Sequence, residues 1–576
     1  MNIVGHQINF TIGDLEGNYR KIVSALDDGS DVDVHVFSEL ALTGYPPNDL
    51  LLRKGFVDKQ LHYLDLLRQK TIEHNYIILI GAVTKNTEPV GKPLRNTAIA
   101  YQRGEEIFRY HKQLLPTYNI FDENRYFEAG TADQNQVIDT EICGQRIKFG
   151  VLICEDAWND EAVTDTPLYP SNPAKILGEN KDINLIVTLN ASPSHIGKNQ
   201  ERYGMYETLA RRYGKSILYV NQVGGNDALI FDGFSFYIQA DVDNTTGFVE
   251  LTRYDAPGFV EDYLPVDTDA PFPCRRHLET IKSDPDQIFK HLTLGLKDYV
   301  TKNGFKTVVV GSSGGIDSAL VLAIAAEAVG AKNVRAITMP SKVSSTGSVD
   351  DSLALCNNLE IHLFIRPIVE EVELSIQNFE KAFGEKPSRL TIENEQARIR
   401  GRILMEYSNH FGSLVLSTGN KSEISVGYFT LYGDSNGGLA VIGDTYKTQV
   451  FDVARWYNSH KRKEIIPNAI IDKAPSAELS PNQVDTDSLP AYPELDAILH
   501  LYIEAELLSD NERAYYLSLC EPLTLKEIKR ILRLIDATEY KRKQLPPTLR
   551  ISRRAFGFGR NLPITQKDNV DYRSIL

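Results

Sequence analysis

Cysteine is scarce in this sequence of 576 residues, which contains five cysteines, two tryptophans and four methionines. Five scattered thiols, an odd number, do not form a disulfide framework, and this usage is typical of a reducing compartment. No apolar run approaches the roughly 20 residues of a membrane span. The N-terminal MNIVGHQINFTIGD lacks the basic and apolar regions of a signal peptide. We therefore expect a cytoplasmic protein with no membrane partner.

Basic residues are also fewer than acidic ones: the sequence has 62 Lys and Arg residues and 77 Asp and Glu residues, which gives a net charge of −15. This balance argues against a nucleic-acid partner and favours solubility. The length exceeds the size at which one hydrophobic core stops growing, so we expect at least two domains. An Asp- and Pro-rich stretch predicts a linker at 269–285 between domains at 1–268 and 286–576. Cys274 lies in that linker, and we assign it no role.

The most informative stretch is VVVGSSGGIDSALVLAIAAEA, from Val308 to Ala328. It predicts a strand at 307–310, a glycine loop at 311–317 and a helix from Ser318. A glycine loop before a helix N-terminus suits an anion, because unpaired N–H groups and the helix dipole face it. The loop is not a Walker A motif, which would end in Gly-Lys-Ser/Thr. A plain strand-to-helix turn without a ligand is the alternative.

The acidic end of this loop points to a metal ion. Asp317 beside a phosphate site needs a divalent cation between the two negative groups, so it is the first candidate metal ligand. The string SGGIDS, residues 313–318, resembles the pyrophosphate loop of the ATP-pyrophosphatase family. The resemblance implies adenylation of a carbonyl oxygen and release of pyrophosphate, and leaves several amidotransferases and thiolases open. It implies ATP contacts from Gly311, Ser312, Ser313, Gly314, Gly315, Ile316, Asp317 and Ser318.

Three polar residues in the first half each follow a predicted strand: Glu39, Lys112 and Cys154. Taken singly, Glu39 is interpreted as a solvated acid and Lys112 as an exposed lysine. A cysteine just past an apolar run is unusual, and its thiol needs a nearby base or cation to react at neutral pH. Together, the three supply a base, a cation and a nucleophile.

The segments around these residues resemble the nitrilase superfamily. They are FSELALTGYPPNDLLL, HKQLLPTYNIFDENRYFEAG and GVLICEDAW. The resemblance implies an αββα sandwich with a Glu-Lys-Cys triad that cleaves amides. In that mechanism Glu39 takes the thiol proton and Cys154 attacks the carboxamide carbon. Lys112 and backbone amides stabilise the oxyanion.

NASPSHIGK, residues 190–198, is similar to the segment that holds glutamine in the glutaminase branch of this superfamily. The resemblance assigns glutamine binding to Ser192, Lys198 and Tyr118. Ser194 stands where the family usually has an aromatic residue, which leaves that pocket wall open. His195 is interpreted as structural.

Strands and helices alternate in the second half, which predicts a parallel, doubly wound sheet with ligands at the carboxyl ends of its strands. A polar helix is predicted to begin at Glu393, and a solvated face is its simpler explanation. A strand at 414–416 leads to STGNKSE, residues 417–423. Glu423 is the candidate second carboxylate for a Mg²⁺ ion shared with Asp317.

Several strings in this half resemble the NAD synthetase family: ENEQARIRGR, STGNKSE, GYFTLYGD, KAPSAELSPNQVDTDSLPAY and RRAFGFGRNLPIT. With the nitrilase-like half, the resemblance covers the whole chain and implies the glutamine-dependent form. It implies ATP, Mg²⁺, glutamine and deamido-NAD as ligands, and a channel for ammonia. Ser312 departs from the leucine common in the loop. The site residues implied are Asn394, Glu423 and Lys543 for the dinucleotide, Thr418 for ATP, and Lys447, Lys541 and Arg560 for phosphates.

Two other functions compete with this one. The same two domains would also suit amidation or thiolation of a nucleotide base or a tRNA, although the net charge of −15 disfavours tRNA. A non-catalytic scaffold would require lost site residues, yet Glu39, Lys112, Cys154 and Asp317 are present. By resemblance we also expect a homo-oligomer.

Overall fold

The computed structural model describes residues 1–27, 32–142, 144–164, 166–243, 245–268, 284–476, 478–480, 483–557 and 559–567. The chain divides into two compact units, Met1–Thr280 (unit 1) and Ile281–Leu576 (unit 2). Most of the predicted linker, including Cys274, lies outside the described residues. Its last two residues, Asp284 and Pro285, belong instead to the first helix of unit 2.

Unit 1 contains two mixed six-stranded sheets, with strand orders β14-β1-β2-β3-β4-β5 and β13-β12-β9-β8-β7-β6. The central strands β1–β2–β3 and β7–β8–β9 run parallel, and β10 pairs with β11 as an antiparallel ribbon. The strands are β1 (Asn2–Gln7), β2 (Val34–Val36), β3 (Ile77–Lys85), β4 (Leu94–Gln102), β5 (Glu105–His111), β6 (Val137–Ile142), β7 (Gln145–Ile153), β8 (Leu185–Asn190), β9 (Ser216–Asn221), β10 (Val223–Asn226), β11 (Leu229–Asp232), β12 (Phe236–Val242), β13 (Val249–Asp255) and β14 (Asp262–Asp267).

The two sheets pack face to face, and their inner faces form one apolar core that includes Val36 and Leu79 of one sheet and Val187 of the other. Helices α1 (Leu15–Asp27) and α2 (Phe56–Lys70) cover the outer face of the first sheet. Helices α3 (Pro173–Glu179) and α4 (Lys198–Tyr213) cover the second. The predicted αββα sandwich is confirmed.

Helix α2 ends earlier than its apolar pattern suggests. By its sequence the segment from Phe56 to His74 suits one helix, but the helix stops at Lys70. There the Thr71 hydroxyl donates a hydrogen bond to the Arg68 carbonyl at 2.7 Å. A hydroxyl that satisfies a terminal carbonyl competes with further helix formation.

Unit 2 is built on a parallel five-stranded sheet of order β17-β16-β15-β18-β19, which confirms the doubly wound α/β fold. Its strands are β15 (Val308–Gly311), β16 (Val334–Thr338), β17 (His362–Ile365), β18 (Leu414–Ser417) and β19 (Leu439–Ala440). Its helices are α5 (Asp284–Lys302), α6 (Ile316–Val329), α7 (Thr346–Leu359), α8 (Val369–Phe383), α9 (Arg389–Phe411), α10 (Lys421–Val426), α11 (Lys447–Lys461), α12 (Asn468–Asp472), α13 (Tyr492–Ile503), α14 (Asp510–Cys520), α15 (Leu525–Ala537) and α16 (Glu539–Arg542).

Two helices frame the central strand β15. Helix α6 is buried over most of its circumference, as expected for its almost continuous Ala, Leu, Val and Ile sequence. On the other face, α9 packs Ile399 and Ile403 against Val309 and Val415. Helix α9 begins at Arg389 with Ser388 as its N-cap, one turn before the predicted start at Glu393. In the described part of the chain, no helix is long and apolar enough to cross a membrane.

Candidate active sites

The three candidate catalytic residues of unit 1 each follow a strand. Glu39 comes three residues after β2, Lys112 directly after β5 and Cys154 directly after β7. All three are buried, with exposed fractions of 0%, 1% and 7%. The interpretations of Glu39 as a solvated acid and Lys112 as an exposed lysine are therefore wrong, because the strands deliver both into the interior.

Lys112 lies between two carboxylates. Its Nζ atom is 2.7 Å from Oε1 of Glu39, and 2.8 and 2.9 Å from the two carboxylate oxygens of Glu123. Burial opposes the charge on Lys112, but Glu123 and Glu39 outweigh it and raise its pKa well above the usual range. Burial raises the pKa of Glu123 to about 7, while Lys112 opposes the shift. Lys112 is thus held as a fixed cation.

The Glu39 carboxylate is oriented by further donors. Nδ2 of Asn96 donates to Oε1 at 2.7 Å, and the backbone N–H of Ala191 donates to Oε2 at 3.1 Å. Donors from three different segments therefore fix both oxygens. Such a preorganised carboxylate is suited to accept a proton.

Cys154 begins a short 3₁₀ turn, Cys154–Ala157, and has a positive φ of 44°. The buried Asp156 anchors this turn: it accepts hydrogen bonds from the backbone N–H groups of Gln113 (3.0 Å) and Leu114 (2.9 Å) and from the Tyr110 hydroxyl (2.8 Å). Burial and then Glu39 raise the pKa of the Cys154 thiol well above its usual range, against the effect of Lys112. The resting thiol is neutral and needs a base to become a nucleophile.

Two of the three candidate glutamine-binding residues, Tyr118 and Lys198, lie close to Glu155, the residue after Cys154. The Tyr118 hydroxyl donates to Glu155 at 2.9 Å, and Tyr169 donates to the same carboxylate at 3.1 Å. The Lys198 ammonium lies 4.1 Å from the ring centroid of Trp158.

The backbone N–H groups of Ser192 and Ser194 both donate hydrogen bonds. The N–H of Ser192 donates to Oδ1 of Asn221 at 3.0 Å, and the N–H of Ser194 donates to the Ile230 carbonyl at 2.7 Å. His195 is buried, with Nδ1 2.9 Å from the Ile196 carbonyl.

The glycine loop of unit 2 is shorter than predicted, because β15 includes Gly311 and α6 begins at Ile316 rather than Ser318. Gly314 has φ of +76°, and a Cβ atom there would meet the Ser348 carbonyl oxygen at 2.5 Å. Only glycine fits that position. The Ser312 hydroxyl, at the position that departs from the family, donates to Ser352 at 2.9 Å.

The loop opens into a cavity of about 260 Å³ at the carboxyl ends of β15, β16 and β18. Every candidate ATP-binding residue except Gly314 lines it, including Thr418, and so does Glu423. Asn394 and Lys543 are not among its lining residues. The cavity therefore brings together the glycine loop and both candidate metal ligands.

Asp317 and Glu423 lie close enough to share one cation. The Lys447 ammonium contacts Oδ2 of Asp317 and lies 3.0 Å from Oε1 of Glu423. Burial raises the pKa of Glu423 to about 7, with Lys447 opposing and Asp317 adding to the shift. Asn420 donates to Asp317 at 3.0 Å and accepts from the Glu423 N–H at 3.0 Å. Across the described residues, no cluster of three or more His, Cys, Asp or Glu side chains could hold a metal ion.

The remaining candidates lie elsewhere in unit 2. Asn394 accepts from the Thr430 hydroxyl at 2.7 Å, and Lys543 is 3.7 Å from Glu539. Lys541 donates to the carbonyls of Gly427 and Phe429, and Arg560 lies between Asp536 and Glu539. In this structure Lys541 and Arg560 therefore bind protein acceptors.

Sequence reasoning missed Glu123, Glu155 and Asn420. Glu123 and Glu155 lie inside segments quoted for the resemblance, but each has an acidic neighbour, Asp122 or Asp156, that the local pattern does not distinguish from it. Asn420 had a usable signal, since Asn three residues before Glu is a helix N-cap pattern.

Comparisons with known proteins match each half of the chain to a protein family. The carbon-nitrogen hydrolase family model matches residues 3–243 and the NAD synthase model matches residues 288–545. The fold and the two sites therefore define a chain that joins a carbon-nitrogen hydrolase unit to an NAD synthase unit.

Relatives extend the match over nearly the full length. Glutamine-dependent NAD(+) synthetases of Synechocystis sp. and Thermotoga maritima are 42% and 40% identical to this chain, over 97% of it and 98% of each relative. The solved structure of the Acinetobacter baumannii enzyme with ADP is 36% identical with a TM-score of 0.70, over 98% of both chains. That from Cytophaga hutchinsonii is 19% identical with a TM-score of 0.78, over 98% of this chain and 97% of its own, and shows the fold alone. The chain belongs to the glutamine-dependent NAD(+) synthetases.

Proposed function

We propose that this protein transfers the amide nitrogen of glutamine to the nicotinate carboxylate of deamido-NAD, converting ATP to AMP and pyrophosphate. The observation that carries the proposal is the buried arrangement of Lys112 with Glu39 and Glu123, beside Cys154, in a chain that also holds a glycine-loop cavity. The names of its relatives support the same overall reaction. The proposed domains are the glutaminase at 1–268 and the synthetase at 286–576.

In unit 1, Glu39 removes the proton of the Cys154 thiol as the sulfur attacks the side-chain carboxamide carbon of glutamine. The Lys112 ammonium and backbone N–H groups stabilise the oxyanion that develops. The proton passes to the leaving nitrogen, ammonia departs, and water hydrolyses the thioester to glutamate. Burial supports these roles, because water-excluded charges act strongly on a developing anion.

Glutamine is proposed to lie with its two α-substituents on opposite walls. The carboxylate of Glu155, the residue after Cys154, suits the α-ammonium group of glutamine. Tyr118 orients this carboxylate by a hydrogen bond from its hydroxyl. Ser192 and Lys198 supply donors on the other wall, which suits the α-carboxylate.

In unit 2, the glycine loop and Thr418 are proposed to hold ATP, whose α-phosphorus receives the nicotinate oxygen. Pyrophosphate leaves, ammonia attacks the acyl carbon of the adenylate, and AMP departs. Asn394, Glu423 and Lys543 are the proposed dinucleotide contacts, and Lys447 is a proposed phosphate contact.

A magnesium ion fits this cavity. Its lining includes five carboxylates and three cations, so the protein supplies no net positive charge to offset the phosphates of ATP. The carboxylates are Asp317, Glu423, Asp434, Glu478 and Asp485, and the cations are Arg400, Lys447 and Lys473. Two protein carboxylates plus substrate phosphates are the usual Mg²⁺ environment. Asp317 and Glu423 would hold the ion, which would neutralise charge on the leaving pyrophosphate.

A homo-oligomer, a cytoplasmic location and an ammonia channel remain predictions from the family resemblance. Light scattering of the purified protein tests the first. Trapping released ammonia during glutamine-driven synthesis tests the channel.

The decisive experiment is Cys154→Ala, assayed for NAD with glutamine and, separately, with ammonium chloride. Glutamine-driven synthesis should fall to background because no thiolate remains, while free ammonia should still supply unit 2. Deamido-NAD should be required, and xanthosine monophosphate or aspartate should give no amidated product. Retained glutamine use would refute the nucleophile, and amidation of another acid with deamido-NAD inert would refute the substrate.

A further inference from the structure

A buried arginine lies behind Ser192, the residue on the proposed carboxylate wall of the glutamine site. Arg202 is 1% exposed and projects from α4, one helical turn after Lys198. Residues four apart share a helix face. Helix α4 therefore presents two cations on the same side, and Arg202 is the fully buried one.

The guanidinium contacts Ser192 through both side chain and backbone. Its Nε donates to the Ser192 hydroxyl oxygen at 3.1 Å, and Nη2 donates to the Ser192 carbonyl at 2.9 Å. Its Nη1 donates to Oδ1 of the buried Asp232 at 2.6 Å. Asp232 thus neutralises a charge that would otherwise be unfavourable in the interior, and the planar guanidinium fixes the geometry.

This contact sets the hydrogen-bonding direction of Ser192. A guanidinium carries only donors, so the Ser192 oxygen must act as the acceptor in its bond to Arg202. The hydroxyl hydrogen is then directed away from Arg202, towards the side where the buried Tyr219 hydroxyl is one acceptor within hydrogen-bond reach. We propose that Arg202 is a positioning residue that makes Ser192 a donor and so selects amino-acid amides with an α-carboxylate. The inference rests on the proposed glutaminase activity of unit 1.

The test compares glutamine with 4-aminobutanamide, which is glutamine with hydrogen in place of the α-carboxylate. The paired variant Arg202→Met/Asp232→Asn removes both charges, so neither is left buried alone. A bond to a charged acceptor is lost, so KM for glutamine should rise about 10- to 100-fold, with kcat changed less than about twofold. Hydrolysis of 4-aminobutanamide should keep its wild-type kcat/KM.

Ser192→Ala should reproduce the KM effect, and combining it with the paired variant should add nothing further. Arg211→Met, which removes an exposed arginine of the same helix, is the matched control. Ammonium-driven NAD formation and the thermal midpoint report that each variant is folded.

An unchanged KM for glutamine, an equal loss on both substrates, or a normal KM in Ser192→Ala would overturn the proposal. Failure of the glutaminase assignment looks different, because wild-type protein would then release no ammonia from glutamine in a Cys154-dependent way.

Discussion

The Nζ atom of Lys112 lies within 2.9 Å of both carboxylate oxygens of Glu123. This second carboxylate matters because Lys112 also contacts Glu39, the proposed base. With Glu123 present, Lys112 need not be neutralised by Glu39 alone. Tyr45 supports the arrangement, since its hydroxyl donates to Oε1 of Glu123 at 2.8 Å.

Replacing Glu123 with Gln should therefore impair the base without removing it. Lys112 would be left with Glu39 as its only carboxylate, and a base tied into an ion pair accepts a proton less readily. Glutamine hydrolysis should fall about 10²-fold or more, while ammonium-driven NAD formation is kept. Asp122→Asn, at the exposed neighbouring acid, is the control and should behave as wild type. Wild-type hydrolysis by Glu123→Gln would contradict this role.

Replacing Glu39 with Gln should separate thiol acidity from catalysis. Glu39 raises the pKa of Cys154, second to burial, so removing its charge should lower that pKa. Iodoacetamide labelling of Cys154, followed from pH 7 to 10, should become faster at a given pH. Glutamine hydrolysis should nevertheless be lost, because no group takes the thiol proton during attack. Slower labelling in a folded variant would show that Glu39 acts on the thiol in another way.

The chain order of strands explains why the triad was predictable and its partners were not. An apolar run identifies β7, and alternating apolar and polar residues indicate β2 and β5. Polar residues just after predicted strands are natural candidates for a site at the strand ends. Glu123 instead lies in a 3₁₀ turn with no periodic pattern. The contact between Lys447 and Asp317 joins residues 130 positions apart, so it depends on how α11 packs beside α6. Local sequence patterns carry no information about which distant helices pack side by side.

Acid should destabilise unit 1 through two buried histidines. Nε2 of His6 lies 3.0 Å from Nδ1 of His35, and burial lowers their pKa values to about 3 and about 4 from 6.5. The unfolded chain binds these protons below pH 6.5 and the folded chain does not. Their contribution to stability is thus complete above pH 6.5 and falls as pH drops towards 4, by about 1.4 kcal/mol per pH unit for each histidine.

The measurement is the urea midpoint at pH 7.5 and 5.5, in a Trp456→Phe background so that Trp158 reports on unit 1. The double variant His6→Phe/His35→Phe should lose much of the acid shift. His62→Gln, at an exposed histidine, should retain it. An unchanged acid shift in the double variant would assign the effect to other groups.

Binding of Mg²⁺ with ATP should release protons from Glu423. Its pKa is raised to about 7, mainly by burial and further by Asp317, so part of the population is protonated at pH 6.5. A bound cation favours the carboxylate, and the proton must leave as the ion enters. Titration calorimetry in two buffers of different ionisation enthalpy measures this release directly, without any turnover. Glu423→Gln should abolish the buffer dependence, while Asp350→Asn, at an exposed acid of α7, should preserve it.

Asp317→Asn should also block NAD formation with either nitrogen source and spare glutamine hydrolysis, because it removes a ligand from unit 2 alone. Buffer-independent heats in the wild type, or normal NAD formation by Asp317→Asn, would remove the shared-cation assignment.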